Sequence, residues 1–331
     1  MKKNIIVVVT ILLTLLLLSG CVDSNVPPIP FEPDESESQN NKQLFIAYAV
    51  SNFENEFYRQ FVSYMEEYCE ELGIRLTYKD GESDVTKQIY AIEEWIQQGV
   101  DAVICAPVDP VAMQSTADTC MNLGIPFINT DAECENKTSY IGVVQHDYGY
   151  MAGKIAAEWL NDNQPDKDII ECAILTKPQS FAVIERANGI IDGLVENCAR
   201  ARIVAQVPYT TVKEAREAIG KVIGDHPAIQ CVISVAGTGI IGAYQAFLAT
   251  GKNTDNICLV GIDATDTVLE KIAENTMIRG TVDQNIRYYA RTSIDLAVKA
   301  IEGDPVERIN LKISEVTAKN IKDYIDIGTT E

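Results

Sequence analysis

From Leu44 onward the chain alternates short, dense apolar runs with longer stretches in which apolar residues recur every three or four positions. The runs are LFIAYAV (44–50), IRLTY (74–78), AVICA (102–106), IPFIN (125–129), SYIGVV (139–144), IIECAIL (169–175), ARIVAQV (201–207), CVISV (231–235) and ICLVGI (257–262). Their length and their β-branched and aromatic content predict strands. Most of the segments between them carry helical spacing. Phe57, Phe61, Met65 and Tyr68 fall at four-, four- and three-residue steps, which predicts one apolar helix face turned to a core. A short GTV run (280–282) and the tail ISEVTAKN (313–320) offer further strand material. Strand–helix alternation of this kind argues for parallel sheets covered by helices on both faces. Nine or more strands would make a very wide single sheet, so two doubly wound lobes are expected. The βα unit is the only repeat, and no short-period array is present.

Residues 1–21, MKKNIIVVVTILLTLLLLSGC, follow a different pattern. Lys2 and Lys3 precede an apolar run from Ile5 to Leu18 that only Thr10 and Thr14 interrupt. The run is short for a bilayer span, which needs roughly 20 apolar residues, and it has the charged start and apolar middle of an export signal. Leu18-Ser19-Gly20-Cys21 resembles the lipobox of bacterial lipoproteins. That resemblance implies cleavage before Cys21 and lipidation of Cys21, and two or three acyl chains make a stable anchor. The alternative is a retained N-terminal membrane helix. Residues 22–42, VDSNVPPIPFEPDESESQNNK, are rich in Pro, Ser, Asn and acid. Such a segment cannot bury apolar surface and reads as a disordered tether. The expected organisation is therefore a signal peptide over 1–20 and a lipidated Cys with tether over 21–43, followed by the globular part.

The formal net charge of −21 excludes partners that are themselves polyanionic, so no nucleic acid is expected to bind. Nine cysteines in an exported chain invite a disulfide reading. Their placement argues against it: Cys105, Cys172, Cys231 and Cys258 sit in or beside apolar runs, where free Cys behaves as a small hydrophobe. There is no CxxC and no Cys/His cluster, and the two His are far apart, so no metal site is expected.

The order AYAVSNFENEFYRQF, Asp80, GVDAVICAPVDP, GIPFINTDAE, ERANGI, DHPAIQCVISV, LVGIDAT and GTVDQN resembles the periplasmic solute-binding family that serves ABC importers, in its ribose/galactose type. The resemblance runs over about residues 44–326. It implies an α/β fold of two doubly wound, Rossmann-like parallel-sheet lobes joined by a three-segment hinge, of the periplasmic binding protein-like I class. The crossings should fall near His146–Tyr148, near Gln284 and near Lys312–Glu315. One lobe would then comprise 44–147 plus 285–313, and the other 148–284 plus 314–328.

Ligands of open α/β sheets bind beyond the carboxyl ends of the strands. Asn55, Phe57 and Tyr58 follow the first strand here, Asp131 follows IPFINT, Asp263 follows LVGI, and Gln284 follows GTV. Carboxylates and amides suit paired hydroxyls, and aromatic rings suit the C–H faces of a sugar. The resemblance carries over Asn55, Asp131, Arg186, Asp263 and Gln284 as polar ligand contacts. It makes Phe57 and Tyr58 two stacking aromatics, and a third aromatic position falls at Thr210 with Tyr209 beside it. Ala132 and Ala236 stand where ribose binders carry an Arg and an Asn, which argues against ribose. Each residue also has a plainer reading: Asp131 and Asp263 as caps, Phe57 as core, Arg186 as a solvated helix charge.

Gly237-Thr238-Gly239-Ile240-Ile241-Gly242 is a literal GxGxxG after a strand, with Asp263 about twenty residues on. This keeps an NAD-type oxidoreductase as an alternative. The plainer reading is that the glycines let the loop approach the cleft. No GxSxG, Walker loop or HExxH occurs, and Asp162, Asp166 and Asp168 lack the central Gly and distal Glu of a cation loop. The expectation is a monomeric, non-enzymatic, extracytoplasmic lipoprotein without cofactor. It would capture a sugar-like small molecule by hinge closure and deliver it to an ABC permease. A sensing partner, a membrane kinase or a chemoreceptor, is the alternative destination, with a furanosyl signal among the possible ligands.

Overall fold

The computed structural model describes residues 43–177, 181–251 and 254–325. The signal segment, Cys21 and the tether lie outside the described residues. The chain runs β1 (Phe45–Val50), α1 (Glu56–Leu72), β2 (Arg75–Asp80), α2 (Val85–Gln97), β3 (Ala102–Cys105), α3 (Pro110–Asn122), β4 (Phe127–Thr130) and β5 (Ser139–Gly142). It continues through α4 (Gln145–Asn163), β6 (Ile170–Thr176), α5 (Phe181–Asn197), β7 (Ala201–Pro208), α6 (Val212–Asp225), β8 (Cys231–Ser234), α7 (Gly237–Ala249), β9 (Cys258–Val260) and α8 (Asp266–Ala273). The last elements are β10 (Ile278–Asp283), α9 (Ile286–Glu302), β11 (Ile309–Asn310), β12 (Ser314–Thr317) and α10 (Lys322–Ile325). Every apolar run contains a strand, GTV grows into β10, and the tail gives β12. The short β11 has no apolar run to announce it.

Two six-stranded sheets form, in the orders β11-β5-β4-β3-β1-β2 and β12-β10-β9-β8-β6-β7. All pairings are parallel except that of β10 with β12. Each sheet thus grows outward in both directions from its first strand, β1 or β6, and carries helices on both faces. β1 shows why. Its residues are all buried; Ile46, Tyr48 and Val50 join the core that includes α1, and Phe45, Ala47 and Ala49 join the core that includes Trp95 and Met113 from α2 and α3. An uninterrupted apolar run is what a strand buried on both faces requires. The chain passes between the sheets three times, from β5 into α4, from β10 into α9, and from β11 to β12.

Local chemistry fixes the element ends. Asn55 caps α1 through a carboxamide oxygen that accepts from the Phe57 N–H at 3.1 Å, and Gly73 ends the helix in the left-handed conformation at φ 66°. Phe57, Phe61 and Met65 are buried, as their spacing predicts, and Tyr68 sits at the edge of that face with its hydroxyl donating to Asp295.

Helices α4 and α5 approach each other closely. Gly149 and Gly153 of α4 meet Gly189 and Gly193 of α5 so tightly that a Cβ on Gly149 would lie 1.9 Å from the Arg186 carbonyl oxygen, and one on Gly189 would lie 2.0 Å from that of His146. Backbone packs directly on backbone there, and any side chain would part the helices.

Candidate functional site

The orders of both sheets reverse at their first strands, which places one switch point between β1 and β3 and the other between β6 and β8. Crevices at such points are where open α/β sheets bind ligands. The two switch points face each other across a cavity of about 320 Å³. One wall comes from the ends of β1, β3 and β4, with Asn55, Tyr58, Val108 and Asp131; the other comes from the ends of β6, β7 and β8, with Lys177, Arg186, Tyr209 and Ala236. Gln88 of α2 braces the first wall. It is buried, its amide donates to the carbonyls of Val50 (3.0 Å) and Ala106 (2.8 Å), and its carbonyl accepts from the Val108 N–H (2.9 Å).

Asp131 is the centre of the polar wall. It follows β4 with φ +60°, a conformation that costs an ordinary residue free energy and tends to persist where surrounding contacts enforce it. Here its N–H donates to the Tyr289 hydroxyl at 2.7 Å, and its carbonyl accepts from Gln145 at 3.0 Å. Its carboxylate accepts from the Tyr58 hydroxyl at 2.9 Å and from Arg186 at 3.2 Å, the latter across the two lobes. Arg186, on the first turns of α5, is only 6% exposed. It donates to Gln145 Oε1 from Nε (2.8 Å) and Nη2 (2.7 Å), and to the Val235 carbonyl (2.9 Å). Burial pulls its pKa down, but the charges of Asp131 and Asp263 more than reverse that, and the guanidinium ends above its ordinary value. Burial and then the Asp131 charge push the Tyr58 hydroxyl well up, so it stays a proton donor at neutral pH.

Asp263 is the counterpart after β9, again with positive φ, +78°. It is 3% exposed. Its Oδ1 accepts from Tyr148 (3.2 Å) and Gln284 (3.3 Å), and its carboxylate also takes the Gly237 N–H at the start of α7. Burial raises its pKa; the Arg186 charge opposes and the Asp131 charge adds to the rise.

Six residues of the sequence reading line the cavity: Asn55, Tyr58, Asp131, Arg186, Tyr209 and Thr210. Phe57, Asp263 and Gln284 are not among its lining residues. The Phe57 ring lies in the core against Tyr58, Phe61 and Tyr289, the place its helix spacing gives it. Asp263 and Gln284 are buried behind the wall and bonded to each other, and through Gly237 Asp263 serves the end of α7 much as a cap would. Tyr209 is 3% exposed, with its hydroxyl 3.1 Å from that of Ser234. Thr210 is exposed, and its N–H donates to Glu214 at 2.8 Å. Gln145, Lys177 and Gln88 were not anticipated. Lys177 directly follows β6, so the strand-end rule could have found it. The other two carry no local signal.

The GxGxxG segment opens α7, and its glycines have close neighbours. A Cβ on Gly239 would lie 2.2 Å from the Ser234 hydroxyl and 2.5 Å from the Tyr209 ring, and one on Gly242 would lie 2.5 Å from Ala215 of α6. They allow α7 to pack on Tyr209 and α6. Among the described residues no cluster of His, Cys, Asp or Glu is arranged to hold a metal, and no helix is long and apolar enough to cross a membrane.

A family model described as a periplasmic binding protein domain matches residues 46–305. The chain belongs to that family. Membership implies an extracytoplasmic location. This binding protein is 25% identical to the ribose import binding protein of Bacillus subtilis over 311 residues, 93% of this chain and 96% of the relative. A solved ABC transporter solute binding protein from Bacillus halodurans, with bound myo-inositol, is 25% identical at a TM-score of 0.77, covering 85% of this chain and 97% of that one. The Caulobacter myo-inositol binding protein shares the fold at a TM-score of 0.78 and 22% identity, covering 87% and 97%.

Proposed function

We propose that the protein captures one ring-sized polyhydroxylated compound in the cavity between its two sheets and hands it to an ABC importer. The observation that carries this reading is the Asp131–Arg186 contact. It joins the lobes at the wall of a cavity lined by the residues past β1, β3, β6 and β8. A volume of about 320 Å³ lies at the lower end of the roughly 300–1,000 Å³ usual for small-molecule sites, which suits one ring and not an oligosaccharide. Relatives bind ribose and myo-inositol by name, and both are polyols on a small ring.

The two lobes, 44–147 with 285–313 and 148–284 with 314–328, act as rigid bodies in this reading. The contacting polar set is Asn55, Tyr58, Asp131, Arg186 and Thr210, with the Tyr209 ring as an apolar platform. Phe57, Asp263 and Gln284 hold these in place from behind the wall. Ligand touches both lobes and so favours the closed state. Cys21, once lipidated, tethers the whole to the membrane.

A thermal-shift screen of pentoses, hexoses and cyclitols tests the binding claim. Ligand at 100 times its Kd should add about 2.7 kcal/mol of stability, and the absence of a shift from every polyol at millimolar concentration would end it. Delivery is tested by ATP-driven uptake of the ligand found, which should require this protein. For the anchor, Cys21→Ser should move the exported protein from the membrane pellet to the supernatant.

A further inference from the structure

Lys177 is the wall's second cation, and it is arranged differently from Arg186. Arg186 is paired with Asp131. Lys177 is half-buried at the end of β6 and lines the cavity, with no carboxylate in ion-pair reach among the described residues. Its ammonium rests 5.1 Å from the centroid of the Tyr209 ring, a weak contact for a cation that remains partly hydrated. Glu54, the remaining acidic residue on the cavity, is exposed and outside ion-pair distance of it.

The same wall holds a second unmet group. Thr238 is 7% exposed and lines the cavity, and its hydroxyl is buried with no hydrogen-bond partner. Orphaned buried hydroxyls are costly and uncommon, and they often mark an absent partner. Thr238 sits in the first turn of α7, whose preceding residue, Ala236, offers no side-chain cap. The Asp263 carboxylate takes the Gly237 N–H from behind the wall, and the Thr238 hydroxyl on the cavity side is left without a partner. Tyr209 ties the features together, since its ring lies under the Lys177 ammonium and against Gly239 of that first turn.

An ammonium with no carboxylate in reach and an unbonded buried hydroxyl on one wall match a group that is anionic and accepts hydrogen bonds. We propose that the ligand is a ring-sized polyol bearing a carboxylate, with the acid held by Lys177 and Thr238; this rests on the polyol-binding reading of the cavity. One unpaired cation matches a monoanion. A phosphate dianion would leave charge unmet.

The test uses the full chain in detergent and calorimetry on matched pairs of neutral ring and its acid: glucose with glucuronate, galactose with galacturonate, and inositol as a neutral control, with glucose 6-phosphate as a third arm. At least one acid should bind about tenfold or more tighter than its neutral parent, the scale of one charge-assisted contact. Lys177→Met should bring that ratio to within about twofold of one, Lys177→Arg should keep most of it, and the ligand-free melting temperature of both variants should match the parent. Neutral rings binding as well as or better than every acid would overturn the proposal and leave the polyol reading standing. So would a preference that survives Lys177→Met, or a phosphate that outbinds the carboxylates. Failure of every compound, neutral and acidic alike, would remove both.

Discussion

Arg186→Met puts the inter-lobe contact under direct test. The substitution keeps most of the side-chain volume and removes every donor. Gln145 Oε1 and the Val235 carbonyl lose their partners, and the Asp131 carboxylate keeps only Tyr58. Breaking a buried ion pair by removing one member typically costs about 3–5 kcal/mol. The Asp131 side chain retains 32% exposure, so water recovers part of the loss and about 3 kcal/mol is the reasonable figure. For a chain of this size each kcal/mol moves Tm by roughly 2–4 °C, so scanning fluorimetry without ligand should show a fall of about 6–12 °C. A double-mutant cycle with Asp131→Asn isolates the pair. The coupling should be about 1.5 kcal/mol, the low end for a hydrogen bond to a charged group. A melting point within about 2 °C of the parent, or a coupling indistinguishable from zero, would show that the two residues do not meet in the free protein and that the lobes stand apart until ligand arrives.

Three other perturbations have definite outcomes. The Asp263 pKa is raised by burial, so the folded chain holds that proton more tightly than the unfolded one. Its stabilising contribution is full below the unfolded value near 4 and is lost as pH climbs through the raised folded value. The parent-minus-Asp263→Asn difference in stability should therefore shift against the parent as pH rises above the unfolded value near 4, and a difference in urea melts that stays constant through that rise would refute this. Gly149→Ala drives a methyl to within 1.9 Å of the Arg186 carbonyl; the cost should reach the upper part of the roughly 1–3 kcal/mol range for overpacking and ligand affinity should fall with it, whereas an unchanged Tm would show that α4 and α5 have slack. Glu56 of α1 accepts from the Thr267 N–H (3.2 Å) and hydroxyl (2.9 Å) at the start of α8, so it caps a helix of the opposite lobe; Glu56→Ala should lose about 1 kcal/mol of that charge–dipole contact and lower the ligand-free Tm by roughly 2–4 °C, and an unchanged Tm would refute it.

Much of the architecture was legible because a strand buried on both faces must be apolar throughout, and runs such as LFIAYAV and CVISV have no other plausible home. β11 was not legible: two residues joining a sheet edge leave no periodic trace. The strand-end rule placed Asp131 and Tyr58 at the cavity, and it would have placed Lys177 had charge been weighed there. It could not separate residues facing the cavity from those one layer behind. Asp263 follows its strand just as Asp131 does, with the same left-handed backbone, yet Tyr148 and Gln284 enclose it. That distinction depends on a helix far away in sequence. The Gly149/Gly153 and Gly189/Gly193 spacing was visible in the chain, but nothing local says that the two pairs meet.

The eight cysteines of the described residues are all buried and unpaired, and burial pushes the thiols of Cys69 and Cys120 up to about 12. Thiol-directed dyes attack the thiolate and need access to it, so the native sulfurs should stay dark to maleimide. A single cysteine placed at exposed Glu54 or Thr210, on opposite rims of the cavity, could then take a fluorophore selectively in the otherwise unaltered core, and the dye would report rim closure in real time.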